Sequence, residues 1–195
     1  MSANNAPFGL RPINSAPGLN TMGMRRYENA IPSGYGTAIY KNSPVQMTGG
    51  TIIPVLSGTV PILGSFQGIE YTDSVTNRRR ESNYWPASLT YGTTTPLFVY
   101  IADAEDNIFE VQLNGTGTST LLGAQINMTG TVSGNGTTGL SSEVASNTPI
   151  LAGTVQGQLA VIGWGLEPDN ASTDAYPIVR VKVARGEFTA ASLPV

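Results

Sequence analysis

The chain has no cysteine and no histidine. Disulfide staples, thiol nucleophiles, imidazole bases and the commonest zinc sites are thereby excluded. Charge is scarce as well: 12% of residues are charged, against a usual share of about 25%. Long helices cover their outer faces with charge, and there is too little here to build them. No apolar stretch with a 3.6-residue period runs beyond about ten residues, and no internal repeat stands out, so neither a helical bundle nor a solenoid is expected. No apolar run approaches the roughly 20 residues needed to cross a bilayer. The opening MSANNAPFGL lacks the basic leader and apolar core of a signal peptide. The expectation is a soluble protein made in a cytoplasm, with no membrane partner.

What is present reads as β structure. A chain of 195 residues suits one domain, with or without an extended arm, and can bury roughly 70% of its unfolded surface. Twenty-three glycines and thirteen prolines exceed their usual combined share of about 12% and imply many turns. Pro7, Gly9, Pro12, Pro17 and Gly18 exclude a helix near the amino terminus, because proline lacks the donor and fixes φ. Residues 1–22 are read as an extended arm and 23–195 as the body. From Met24 onward come strand-length pieces rich in β-branched and aromatic residues: MRRYENA, YGTAIYK, PVQM, TIIPVL, VPILGSFQGIEY, PLFVYIA, NIFEVQL, QLAVIGWGL and PIVRVKVA. In the last, Val179, Val181 and Val183 alternate with Ile178, Arg180, Lys182 and Ala184, which predicts one buried face. Residues 114–149 are dominated by Gly, Ser, Thr and Asn and read as a loop-rich excursion holding short strands or one helical turn. The fold expected is all-β, a β-sandwich or β-barrel with an extended N-terminal arm and a long Gly/Ser/Thr-rich loop region.

Charge is unevenly placed. Residues 1–80 carry seven basic and three acidic side chains, residues 81–179 nine acidic and no basic, and residues 180–195 three basic and one acidic. The net charge of −3 argues against direct nucleic-acid binding, which draws its affinity from neutralised phosphates. Complementary segments of this kind can pair within or between subunits. Arg78, Arg79 and Arg80 are the densest charge. Pairing with the acidic middle is the reading preferred over a nucleic-acid patch, because guanidinium groups fork onto carboxylates.

Candidate chemistry is sparse. Gly134-Asn135-Gly136-Thr137-Thr138-Gly139 matches a dinucleotide-loop glycine pattern, but the following LSSEVASNTP is a poor helix, so turn glycines are expected. Asp103, Glu105, Asp106 and Glu110 lack calcium-loop spacing and read as a solvated turn. Tyr84, Trp85 and Trp164 suit a sugar-stacking platform or, preferably, core and interface packing. No catalytic, cofactor-binding or metal-binding residue is assigned.

Several blocks resemble a known family. Ala6-Pro7-Phe8-Gly9-Leu10-Arg11-Pro12, the run Ile62 to Asp73 (ILGSFQGIEYTD), Ser82-Asn83-Tyr84-Trp85-Pro86 and Phe109-Glu110-Val111-Gln112 are similar to capsid decoration (cement) proteins of tailed bacteriophages. The likeness continues in order through Ile162-Gly163-Trp164 to Glu167-Pro168-Asp169-Asn170; Glu167 stands where that pattern has arginine, so a contact made by the arginine is not implied here. The resemblance implies a non-enzymatic virion protein on the capsid exterior that clamps the major capsid protein lattice. Its partners would be the major capsid protein and itself, as a homotrimer or alternatively a dimer. Pro7, Phe8, Leu10, Arg11, Arg78, Arg79, Arg80, Tyr84 and Trp85 are the interface candidates. An arm of about twenty residues can reach some 60 Å. Competing readings are a carbohydrate-binding or host-adhesion module and, last, a glycosidase using an Asp/Glu pair.

Overall fold

Thirteen short strands and one turn of 3-10 helix make up the regular structure in the computed structural model, which describes residues 4–14, 23–150 and 155–188. The longer strands fall on the β-branched and aromatic pieces of the sequence. One sheet has the order β1 (Arg11–Asn14), β8 (Ile108–Gln112), β13 (Ile178–Val183), β12 (Leu159–Trp164), β9 (Gln125–Ile126). The other runs β2 (Met24–Glu28), β7 (Phe98–Ala102), β5 (Gly64–Thr72), β3 (Pro44–Thr48), β4 (Thr51–Pro54), with β6 (Arg79–Ser82) also paired to β5. Every strand pairing is antiparallel. The fold is therefore all-β, as expected, and of sandwich type.

Each sheet buries its own set of side chains. In β13 the alternation works as read: Val179 and Val181 are fully buried, while Ile178, Arg180 and Lys182 face the other way. With Phe109, Val111, Leu159 and Val161 they form the core under the first sheet. Under the second lie Phe66, Ile69, Val99, Ile101 and Trp85. Trp85 is fully buried, donates its indole N–H to the Tyr35 carbonyl at 3.1 Å and meets Tyr91 edge-on at 6.2 Å. Such a ring satisfies its one donor and contributes its full apolar area.

Residues 114–149 contain the 3-10 turn (Ser119–Leu121), β9, and the two-residue pair β10 (Gly134–Asn135) and β11 (Leu140–Ser141). The glycine-patterned segment is the turn of that hairpin. Asn135 Oδ1 accepts from the amides of Thr137 (2.8 Å) and Thr138 (3.3 Å), and Gly139 takes φ +70°. No helix follows it among the described residues, so the phosphate-binding context is missing. The same stretch sends Leu121, Ile126, Met128 and Ala145 into the first core.

Of the segment read as an arm, residues 4–14 are described, and 1–3 and 15–22 lie outside the described residues. Residues 4–14 are laid along the body. Ala6 N–H donates to Gln112 Oε1 at 3.1 Å, and β1 pairs with β8. Gly9 N–H donates to the Glu143 carbonyl, Leu10 N–H donates to the Asn42 carbonyl, and the Leu10 carbonyl accepts from Ser65 Oγ at 2.6 Å. The Leu10 side chain is wholly buried in the first core. Leu10→Ala should cost about 2–5 kcal/mol, the usual penalty for emptying a packed leucine site. The unfolding midpoint in urea measures it, and an unshifted midpoint would mean that this stretch does not dock.

Candidate interaction surface

A one-residue irregularity in β5 shapes the open surface. Its register against β7 slips between Phe66 and Gly68, leaving Gln67 as an extra residue whose side chain is re-aimed, as bulges do. Gly68 takes φ +148°, and a Cβ there would stand 2.8 Å from the Ser82 carbonyl oxygen, so β6 can lie this close only to glycine. Gln67 Nε2 donates to Ser65 Oγ at 2.9 Å and Asn42 Oδ1 at 3.3 Å. Thus fixed, Gln67 lines two open clefts. One, of about 320 Å³, also has Phe8, Arg11, Pro12, Lys41, Asn42 and Leu140. The other, of about 300 Å³, has Glu81, Ser82, Asn83 and Tyr100. Asn83 Nδ2 donates to the Thr138 carbonyl at 2.8 Å, tying β6 to the β10–β11 hairpin.

The charges around these clefts form local pairs. Arg11 reaches Glu110 at 2.5 Å and Glu167 at 3.5 Å, with its guanidinium 4.3 Å from the Phe8 ring centre. Arg25 pairs with Asp103 at 3.3 Å. Early cations thus meet the acidic middle. The arginine triplet does not: Arg79 binds Glu70 at 2.6 Å and Arg80 binds Asp73 at 3.0 Å. Both acids precede the acidic middle, because β6 folds back on β5 and sets Thr72 opposite Arg79 and Tyr71 opposite Arg80. Hydrogen bonds from Arg79, then Tyr100, hold the Glu70 carboxyl below its ordinary value. Backbone amides of Thr76 and Val75 do the same for Asp73. Arg26 and Arg79 both stand over Phe98, at 4.2 and 4.7 Å. The exposed Arg78 side chain has no hydrogen bond or ion pair among the described residues.

The expected interface residues are therefore divided. Phe8 and Arg11 line the first cleft, with Pro7 half-buried beside them. Leu10 and Trp85 are interior residues, since each completes a core and neither offers surface to a neighbour. Tyr84 is half-buried and stacks on Tyr40, ring centres 6.0 Å apart and planes 8° off parallel. Trp164 lies on the other sheet, against the first core. The three rings of the sugar-platform reading consequently form no common surface. The four acids at 103–110 also part company: Asp103 is bound by Tyr27 and Arg25, Glu110 by Arg11, and Glu105 and Asp106 lie in the turn between β7 and β8. Burial, then the hydrogen bond to Asp103, pushes the Tyr27 hydroxyl up to about 12. Among the described residues no group of His, Cys, Asp and Glu could hold a metal ion.

No family model, curated protein or solved structure matches this chain. The clefts have to be read from their own chemistry. Lys41, Asn42 and Leu140 line the first of them without having been singled out as site residues in the sequence, and Gln67 stood out only as part of the run Ile62 to Asp73; the one sign of its re-aiming was a glycine inside a strand-like run, which marks a bulge.

Arg11→Ala and Arg78→Ala should separate pairing from solvation. Arg11 is 42% exposed but Glu110 only 9%, so removing Arg11 strands a buried carboxylate at a cost of about 1–3 kcal/mol, discounted for the exposed partner. Arg78→Ala should stay within about 0.5 kcal/mol of the parent. Equal losses in urea denaturation would refute the distinction.

Proposed function

We propose that the chain is a structural virion protein that binds the outer surface of the major capsid protein lattice of a tailed phage and stabilises the head. The observation that carries the proposal is convergence. The blocks resembling decoration proteins are far apart in sequence yet meet around one surface. Phe8 and Arg11 from the first and Gln67 from the second line one cleft; Asn83 from the third lines the next, which shares Gln67; Glu110 from the fourth holds Arg11. The same blocks also supply core residues such as Leu10, Phe66, Trp85 and Phe109, but core packing does not account for the residues that line the clefts. Here the grouped residues are polar, aromatic and partly open, as at the rim of a protein interface.

The physical role would be mechanical. A stiff body of paired strands keeps Phe8, Lys41 and Leu140 at set positions. Repeated in a homo-oligomer, for which we favour a trimer, modest contacts combine through high effective concentration. A bound clamp also stabilises the expanded shell by mass action, because it binds the assembled lattice and not its separated subunits. No bond-making step is required of it.

Co-sedimentation with emptied, expanded capsids tests the reading. Lys41→Glu combined with Leu140→Ser, both at the rim of the first cleft, should lower capsid affinity at least about tenfold, the effect of losing roughly 1.4 kcal/mol, and leave the unfolding midpoint within about 0.5 kcal/mol of the parent. Parent protein that fails to sediment with capsids yet binds immobilised glycans would favour the adhesion reading instead.

A further inference from the structure

Glu143 is a carboxyl group placed where ionisation should be hardest. It is 4% exposed. Its Oε2 accepts from Ser141 Oγ at 2.8 Å, while Oε1 is buried without a hydrogen-bond partner. The buried Ser43 hydroxyl lies against the carboxyl, close enough to favour the charged form but outside hydrogen-bonding geometry. One donor cannot replace the water shell of a carboxylate, so the neutral acid is preferred here. Burial pushes the group up to about 7, with the Ser141 and Ser43 hydroxyls opposing. A protonated Oε1 would also become a donor, and the partnerless Ser43 oxygen is an acceptor beside it.

The amino-terminal stretch packs against the backbone of Glu143 and against Ser141, whose hydroxyl donates to this carboxyl. The Glu143 carbonyl accepts from Gly9 N–H at 3.2 Å, and Leu10 N–H is bonded one residue from Ser43, at the Asn42 carbonyl. The approach is so close that a Cβ on Gly9, which has φ +75°, would lie 2.7 Å from Ser141 Oγ and 2.4 Å from the Asn42 carbonyl oxygen. The charged residues of the packed segments are Arg11 beyond Gly9 and Lys41 before Ser43; both line the first cleft, Arg11 bound to Glu110 and Glu167. Beside the hydroxyls of Ser141 and Ser43, no charged side chain acts on the group.

We infer that Glu143 is a proton-dependent latch for residues 6–11: its neutral form holds Gly9 and Leu10 docked, and its ionisation loosens them. The inference concerns the chain alone and does not rest on the capsid reading. An undocked stretch exposes the carboxyl to water and returns it to its ordinary value near 4.5. Below that value the group is neutral in both states and docking is at its firmest. Between about 4.5 and 7 the undocked state gives up its proton first, so docking weakens as pH rises, by up to tenfold per unit. Above about 7 both states are ionised and no further weakening follows.

Hydrogen exchange at the Gly9 and Leu10 amides, corrected for intrinsic rates, tests the latch. From pH 4.5 to 8 the opening constant should rise on the order of 10²-fold in the parent and less than about threefold in Glu143→Gln, which keeps the shape without the charge. Amides of Val179 and Val181 serve as the unaffected reference. A flat profile in the parent, or an equal rise in Glu143→Gln, would overturn the inference. Should that variant not fold, carbon-detected titration of Glu143 in the parent decides: a midpoint near 7 supports the latch, and one near 4.5 refutes it.

Discussion

Leu10 stitches the two sheets together. Its side chain fills the core of the first sheet, while its N–H and C=O are spent on Asn42 and Ser65 in and beside the second. One residue later the chain enters β1 and completes the edge of the first sheet against β8. The link depends on Gly9, since any side chain there would collide with Asn42 and Ser141. Backbone bonds of this sort contribute only about 1 kcal/mol each, but together with a buried leucine they set where the amino-terminal stretch lies. With it are set Phe8, Arg11 and the wall of the first cleft.

The charge pattern follows from the same placement. A basic stretch over residues 1–80 and a middle rich in acid would be a liability if both stayed open, through unspecific association. Docking residues 4–14 puts Arg11 on Glu110 and Glu167 and leaves a partly screened surface of mixed polarity. Glu167 has a defined task here as a second acceptor for Arg11. Of the triplet, Arg79 and Arg80 on β6 are absorbed differently, by Glu70 and Asp73 on and just past β5, and the Arg78 side chain, just before β6, faces solvent without an ion pair among the described residues.

The bulge at Gln67 and the buried Glu143 share a physical theme. Each spends stability for position: the bulge leaves a residue outside the ladder, and the carboxyl sits where water would serve it better. Both lie along the path taken by residues 8–11, Gln67 through Asn42 and Ser65, Glu143 through Gly9. A region that carries such costs beside an edge strand is where local opening is least expensive for the fold.

Much of this was legible in the chain itself. Few charges, abundant glycine and proline, and runs such as PIVRVKVA determined an all-β body, because period-two alternation and turn residues act within a few neighbours. The glycine-patterned hairpin was equally readable, since a phosphate loop needs a following helix and none was encoded. Tertiary structure alone decided the rest. That Arg79 and Arg80 would choose Glu70 and Asp73 depended on β6 returning along β5. That Trp85 and Leu10 would be interior, and Phe8 and Arg11 open, depended on which sheet each faced. The surroundings of Glu143 depended on residues more than a hundred positions away, since Gly9 bonds its carbonyl and crowds the Ser141 hydroxyl that donates to its carboxyl. Local alternation is written residue by residue, whereas pairing, burial and proton affinity are properties of surroundings that exist only once distant segments have met.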